Sequence, residues 1–334
     1  MDLLPDEQQS AIAETARNMI EKSDSVARLR KLSPDEAVTD RTFWASAAQN
    51  GFFALNLPEK DGGVGLGLAE QTLVFRELGR GLVAGPFLGT ALAAQVAHAA
   101  GRMDLVDEIA AGSRPVGLLE RIGEGLYRTL DAGEATTWVL ADDHASAIYD
   151  DAAVEVITKK DSIDPGSRLA HLRITGEPLA EVDNEKFDGE AYVSILLAAI
   201  LSGSAEATRD MSAAYATIRE QFGVPIGSFQ AVKHRCADMA VRAEAATQLV
   251  TLAALANAEP RGDAALLGHS ALSISRDHAI RNAGDNIQNH GGIGLTAEHD
   301  APLFLKRTQA WSAMGLPAAE LREAILRVPA VRPA

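Results

Sequence analysis

The stretch from Ala191 to Arg219 contains no proline, and at its centre Ile195 to Leu201 is a continuous apolar run. A segment this long and this apolar is best read as a helix that other helices surround. Small residues at Ala198, Ala199, Gly203 and Ala207 let those neighbours come close. Pro225 ends the pattern, and two further long helices are predicted, over Phe229 to Ala256 and Asp263 to Gln288. The apolar run itself is far short of the roughly 20 residues that span a bilayer. The C-terminal part, 188–334, therefore reads as a helical bundle.

The remainder divides into two regions, and a chain of 334 residues has room for two or three domains. Residues 1–113 are mainly helical: Ile12, Ala16, Met19 and Ile20 share one face, and Ser33-Pro34-Asp35-Glu36 reads as a helix start. Leu57-Pro-Glu-Lys-Asp-Gly-Gly-Val-Gly-Leu-Gly67 reads as a loop, because no strand precedes it and its glycines do not fit a dinucleotide fingerprint. Leu68 to Leu78 is expected to be a helix closed by Gly79. Between 114 and 187 the texture changes to short β-rich segments: Trp138 to Leu140, Val154 to Thr158 and Leu169 to Thr175, separated by turn clusters. With only 5% aromatic residues, the whole suits a mainly α fold with a small inserted β region.

A net charge of −15 argues against nucleic acid as a partner. The lone Cys236 cannot form an intrachain disulfide, and the acidic start (Asp2, Asp6, Glu7) is unlike a secretory leader. A cytoplasmic protein without a membrane partner is expected. His290 and His299 lack metal-ligand spacing, so no metal site is expected.

Two blocks carry the chemistry. The first is Arg219-Glu-Gln-Phe-Gly-Val-Pro-Ile-Gly-Ser-Phe-Gln230; the second is Gln288-Asn-His-Gly-Gly-Ile-Gly294. Arg219 offers a planar fork of donors suited to phosphate oxygens. Gln221, Gln230 and Gln288 both donate and accept, which suits sugar hydroxyls and adenine edges. Phe222 and Phe229 can wall a ring system, and Gly291 and Gly292 let backbone N–H groups approach an anion. Singly, each has an ordinary structural role: a solvated helix-end arginine, core phenylalanines, a glycine helix cap. Jointly they point to a pyrophosphate and an adenine.

With these blocks in place, the chain resembles an acyl-CoA dehydrogenase over nearly its full length. The same resemblance runs through Gly51-Phe, Leu57-Pro-Glu, Asp61-Gly-Gly-Val-Gly-Leu-Gly67, Phe75-Arg-Glu-Leu-Gly79 and Leu295 to Arg307. It implies an N-terminal helical domain, a shortened middle β domain and a C-terminal four-helix bundle, with FAD as cofactor. It further implies that Arg219, Gln221, Phe222, Phe229, Gln230, Gln288, Asn289 and Gly292 touch the ADP portion of an FAD held mainly by a neighbouring subunit. An electron-transfer flavoprotein or similar acceptor would reoxidise the flavin.

The family's catalytic glutamate, which takes the proton α to a thioester carbonyl, has no counterpart here. Counting from Gln288 places that position at Gly315, and no acid lies between Asp300 and Glu320. The alternative family position falls near Val193, with Glu190 about one helical turn away as a poor stand-in. The family's flavin-gripping stretch in the β region is also absent: Gly117-Leu-Leu-Glu-Arg-Ile-Gly-Glu-Gly125 stands in its place. The resemblance therefore points to the reduced partner subunit of a heteromeric, actinobacterial-type acyl-CoA dehydrogenase, a heterotetramer in lipid and steroid catabolism. Its catalytic residues in this chain are unknown. The rival expectations are a homomeric enzyme with a displaced base, a related oxidase, and a helical interaction protein without flavin.

Overall fold

The computed structural model describes residues 3–258 and 263–327. Six helices come first: α1 (Glu7–Ser23), α2 (Ser25–Lys31), α3 (Arg41–Gln49), α4 (Leu68–Arg80), α5 (Phe87–Ala99) and α6 (Met103–Ala110). Seven strands follow: β1 (Val116–Gly123), β2 (Leu126–Thr129), β3 (Thr137–Ala141), β4 (Ala145–Asp150), β5 (Val154–Lys160), β6 (Leu169–Ile174) and β7 (Ala180–Asp183). The chain then forms α7 (Gly189–Ile218), the short pair β8 (Glu220–Gln221) and β9 (Val224–Pro225), α8 (Gln230–Asn257), α9 (Ala264–His290), α10 (Ala301–Ser312) and α11 (Ala318–Arg327). Two compact units result. One comprises Met1–Lys31, Thr72–Val83 and Leu197–Ala334; the other comprises Leu32–Gln71 and Ala84–Leu196.

The second unit is built on a seven-stranded sheet of order β5-β6-β2-β1-β3-β4-β7, with β1 and β3 parallel and the other pairs antiparallel. One face is apolar: Leu119, Trp138, Leu140 and Leu172 are buried together. Strand β1 escaped the sequence reading because its outer half, Glu120 and Arg121, is polar; Glu120 is satisfied across the ladder by Arg128 at 2.9 Å. The 57–67 loop is turn chemistry. Every amide from Gly62 to Gly67 donates to a carbonyl of residues 54–59 or to Glu70 Oε2, so none is left for a phosphate.

No helix starts at Ser33. Its amide is taken by Glu36, but the amides of Val38 and Thr39 are both taken by the Glu134 carboxylate, and a turn forms instead. Helix α3 begins later, where the Asp40 side chain accepts the amides of Thr42 and Phe43. By contrast α1 has a full capping box between Asp6 and Gln9 and buries Ala13, Ala16 and Ile20.

In the first unit, where α8, α10 and α11 pack on α9, α7 contributes its residues from Leu197 onward, joined to α9 through Ser212–Asn286 and Asn282–Ala205 hydrogen bonds. It is the one described helix long and apolar enough to cross a bilayer, and 89% of its most apolar window is buried inside the fold. Gly79 does not close α4, as the sequence suggested; the helix continues to Arg80. Its role is packing. A Cβ on Gly79 would collide with the Ile200 carbonyl, 2.7 Å from its carbon, and one on Gly203 with the Arg76 carbonyl, 2.8 Å from its carbon. Helices α4 and α7 thus cross backbone to backbone through a reciprocal pair of glycines.

Beside that crossing lies a buried carboxylate. Glu77 is 1% exposed and accepts from Arg17 at 2.8 and 3.2 Å, with Arg80 at 3.5 Å and Arg76 at 3.8 Å. Arg80 also reaches Glu206 at 2.9 Å and Asp210 at 2.8 Å. Alternating charges of this kind avoid leaving any buried ion without a partner.

Candidate functional site

Helix α7 ends at Ile218, and the chain reverses in a two-residue hairpin. Glu220 pairs with Pro225 and Gln221 with Val224, leaving Phe222 and Gly223 at the tip. Both tip residues have positive φ, 56° and 81°, the signature of a type I′ turn. Glycine suits this conformation; a phenylalanine there is strained, at a cost on the order of 1–2 kcal/mol. Phe222 is nevertheless 94% exposed, its ring meeting Phe229 edge to face with centroids 6.0 Å apart. The hairpin leans back on α7 through Gly227, whose Cβ would sit 2.8 Å from the Ala216 carbonyl oxygen. Helix α8 then starts at Gln230.

The second block lies at the end of α9. Gly291 closes that helix, its amide reaching the carbonyls of Ile287 and Gln288, so one glycine of the pair is a helix cap. Gly292 is exposed with open space about it. Arg219, Gln221, Phe229, Gln230 and Gln288 are likewise exposed, and among the described residues Arg219 has no ion-pair partner. Asn289 departs from the pattern: it is 6% exposed, and its Oδ1 accepts from Arg235 Nη1 at 3.1 Å. Its side chain positions another residue and does not face outward.

A ring stack draws the two blocks to one end of the bundle. Tyr215, one turn before Arg219, stacks on His290 at 4.2 Å, and His290 packs on His299 at 4.3 Å. His290 Nδ1 pairs with the Asn286 carbonyl at 2.7 Å, and His299 Nδ1 accepts the Ala301 amide at 3.1 Å, at the start of α10. Both histidines therefore have structural partners, and among the described residues no group of three His, Cys, Asp or Glu side chains is arranged to hold a metal. Sequence reasoning passed over this stack because spacing along the chain does not say which rings meet.

Burial pushes the His290 pKa below its ordinary value, against the opposing hydrogen bond to Asn286. The unfolded chain therefore binds a proton more readily at this site, and stability should fall as pH drops from about 6.5 into the acid range. Thermal unfolding of a His290→Phe variant, which keeps a stacked ring, is expected to show a flatter acid limb than the wild type.

The position counted as the family base has no acid. Gly315 has φ 68°, and a Cβ there would sit 3.3 Å from Arg276 Nη2 and 3.4 Å from Leu197. Arg276, itself buried, donates to the Leu316 carbonyl at 2.6 Å and to the Met314 carbonyl. An arginine clamps the loop from both sides. In the other unit Glu190 is half-buried in the first turn of α7, and Val193 is buried. Nearby, the buried Tyr192 hydroxyl donates to Gln71 at 2.6 Å.

Residues 6–109 match the acyl-CoA dehydrogenase N-terminal domain, and 192–325 the acyl-CoA dehydrogenase C-terminal domain. The chain is 32% identical to acyl-CoA dehydrogenase IpdE2 of Mycolicibacterium smegmatis, over 95% of its own length and 97% of the relative's. Among solved structures it is similar to the ChsE4–ChsE5 complex of Mycobacterium tuberculosis, with 25% identity, a TM-score of 0.81 and all of both chains covered. The steroid acyl-CoA dehydrogenase Tcur3481–Tcur3483 shares the fold at 20% identity, with a TM-score of 0.84 over 96% of this chain and 97% of that one. Bundle, inserted sheet, exposed hairpin and glycine turn are thus joined to sequence identity across both conserved regions, and the chain belongs to the acyl-CoA dehydrogenase family.

Proposed function

We propose that this chain is the base-less subunit of a heteromeric, FAD-dependent acyl-CoA dehydrogenase. It lends one face to the ADP portion of an FAD held by a companion chain, and that companion supplies the catalytic glutamate. The observation that carries this is Phe222: a strained aromatic held almost fully in water, beside Arg219, Gln221 and Gln230. Strain and exposure both oppose folding, so the tip is built for something that covers it.

The donor set fits the group. Arg219 opposes diphosphate charge, the amides of Gln221, Gln230 and Gln288 match ribose and adenine edges, and Phe222 with Phe229 offers an apolar wall. When bound, FAD supplies the two-electron acceptor for α,β-dehydrogenation of an acyl-CoA thioester. This chain holds no acid at Gly315 to receive the α-proton, and a glutamate there would meet both a left-handed backbone and the Arg276 guanidinium. Two further supports come from similar proteins: ChsE4–ChsE5 is a complex, and Tcur3481–Tcur3483 is a steroid acyl-CoA dehydrogenase. Steroid-derived thioesters are therefore the class to test first.

Co-expression with an acyl-CoA dehydrogenase-like companion should yield a yellow complex, and Arg219→Ala should weaken its FAD binding roughly 10- to 100-fold, the worth of one charge-assisted contact. The chain purified alone should lack stoichiometric FAD. Full flavin loading and dye-linked acyl-CoA oxidation by the lone chain would overturn the proposal, and Glu190→Gln would then test the displaced base.

A further inference from the structure

Helices α8 and α9 share an ionic cluster whose charges do not balance. Asp285 lies between two arginines: Arg242 donates to it through Nη2 at 2.5 Å, and Arg235 approaches through Nε at 3.4 Å. One carboxylate cannot neutralise two guanidiniums, and the shorter pair belongs to Arg242. The surplus positive charge therefore resides mainly on Arg235. Asn289 fixes that side chain through Nη1, while Nη2 makes no hydrogen bond among the described residues. The Arg235 side chain is 33% exposed.

Its place matters. Asp285, Gln288 and Asn289 are spaced i, i+3 and i+4 on the last turns of α9, so they share a face that leads to Gly292. Arg235 stands on the early turns of α8, which begin at Gln230. Arg235 is thus five residues beyond Gln230 on α8 and bonded, on α9, to the residue next to Gln288. With one carboxylate shared between two guanidiniums and Nη2 unused among the described residues, Arg235 keeps a donor to offer an anion.

We infer that Arg235 is a further anion-binding residue of this face, supplying a second guanidinium, beside Arg219, to the diphosphate of the dinucleotide held by the companion chain. Asp285 sets how much of its charge is free, and Asn289 holds it in position. This rests on the half-site proposal above.

The test titrates FAD into the complex of this chain with its companion, following flavin fluorescence at several salt concentrations. Arg235→Met is expected to weaken binding about tenfold, the loss of one charge-assisted contact, and to flatten its salt dependence. Arg235→Lys should recover most of the affinity. Asp285→Asn should tighten binding about threefold, because it removes the carboxylate that competes with the diphosphate. A residue that merely pins α8 to α9 cannot give these opposite signs.

Unchanged affinity in Arg235→Met, or weakened affinity in Asp285→Asn, overturns the assignment. If Arg219→Ala still weakens binding in that case, the half-site proposal survives. If Arg219→Ala has no effect either, the proposal has failed and Arg235 falls with it. Should Arg235→Met not fold, the lysine and asparagine variants decide the matter: near-normal and tighter binding support it, and any other pair of results overturns it.

Discussion

Replacing Gly203 by alanine is expected to lower the stability of the fold by about 2–4 kcal/mol, although the change adds a single methyl group to a helix. Alanine is ordinarily the better helix former by roughly 0.5–1 kcal/mol. Here the new Cβ would meet backbone from α4, 2.8 Å from the Arg76 carbonyl carbon and 3.0 Å from the Arg80 nitrogen. Backbone cannot rotate aside as a side chain can, so the two helices must separate and lose dispersion contact along the crossing. Gly79→Ala should behave similarly against Ile200, and the double variant should cost less than the sum, since helices already parted accommodate the second methyl. Gly284, within α9, provides the control: a Cβ there meets nothing within 4 Å, and Gly284→Ala should be neutral or slightly stabilising. Denaturant unfolding of the three variants measures this directly. If Gly203→Ala proves as mild as Gly284→Ala, the helices do not touch as described.

The second large effect is expected at Glu77. Replacing this carboxylate by alanine removes the acceptor of Arg17 and strips charge from beside Arg76 and Arg80, at a cost of about 3–5 kcal/mol. Glutamine keeps one acceptor oxygen, so Glu77→Gln should fall between wild type and alanine. Removing Arg17 as well should restore part of the loss, since that side chain is half exposed and can be rehydrated. The exposed pair Arg327–Glu323 sets the scale for an ordinary surface bridge, whose deletion should change stability by well under 1 kcal/mol. A shift of that small size on removing Glu77 would refute its structural role.

What the sequence disclosed follows from how local each signal is. Helices α7, α8 and α9 begin and end within two residues of the stretches expected, because an uninterrupted apolar period is a property of the chain itself. Strands β3, β5 and β6 were legible for the same reason. Signals completed by distant partners were not. Ser33 resembled a cap until Glu134, about a hundred residues on, captured the amides that a helix would have used. Gly79 resembled a terminator, and only the approach of α7 reveals it as a packing residue. At the candidate site Asn289 turns inward to Arg235, and Tyr215 with His299 entered through a ring stack that no motif spells out.

The hairpin tip carries a consequence for supply. A bare phenylalanine flanked by the exposed apolar residues Ile218 and Val224 makes any surplus copy of this polypeptide adhesive. If the half-site proposal holds, a cell that made it without its companion would accumulate sticky orphans for chaperones and proteases to clear. On the half-site proposal, matched synthesis of this chain and its companion, in near-equal numbers and close together in time, is the arrangement that such a surface calls for.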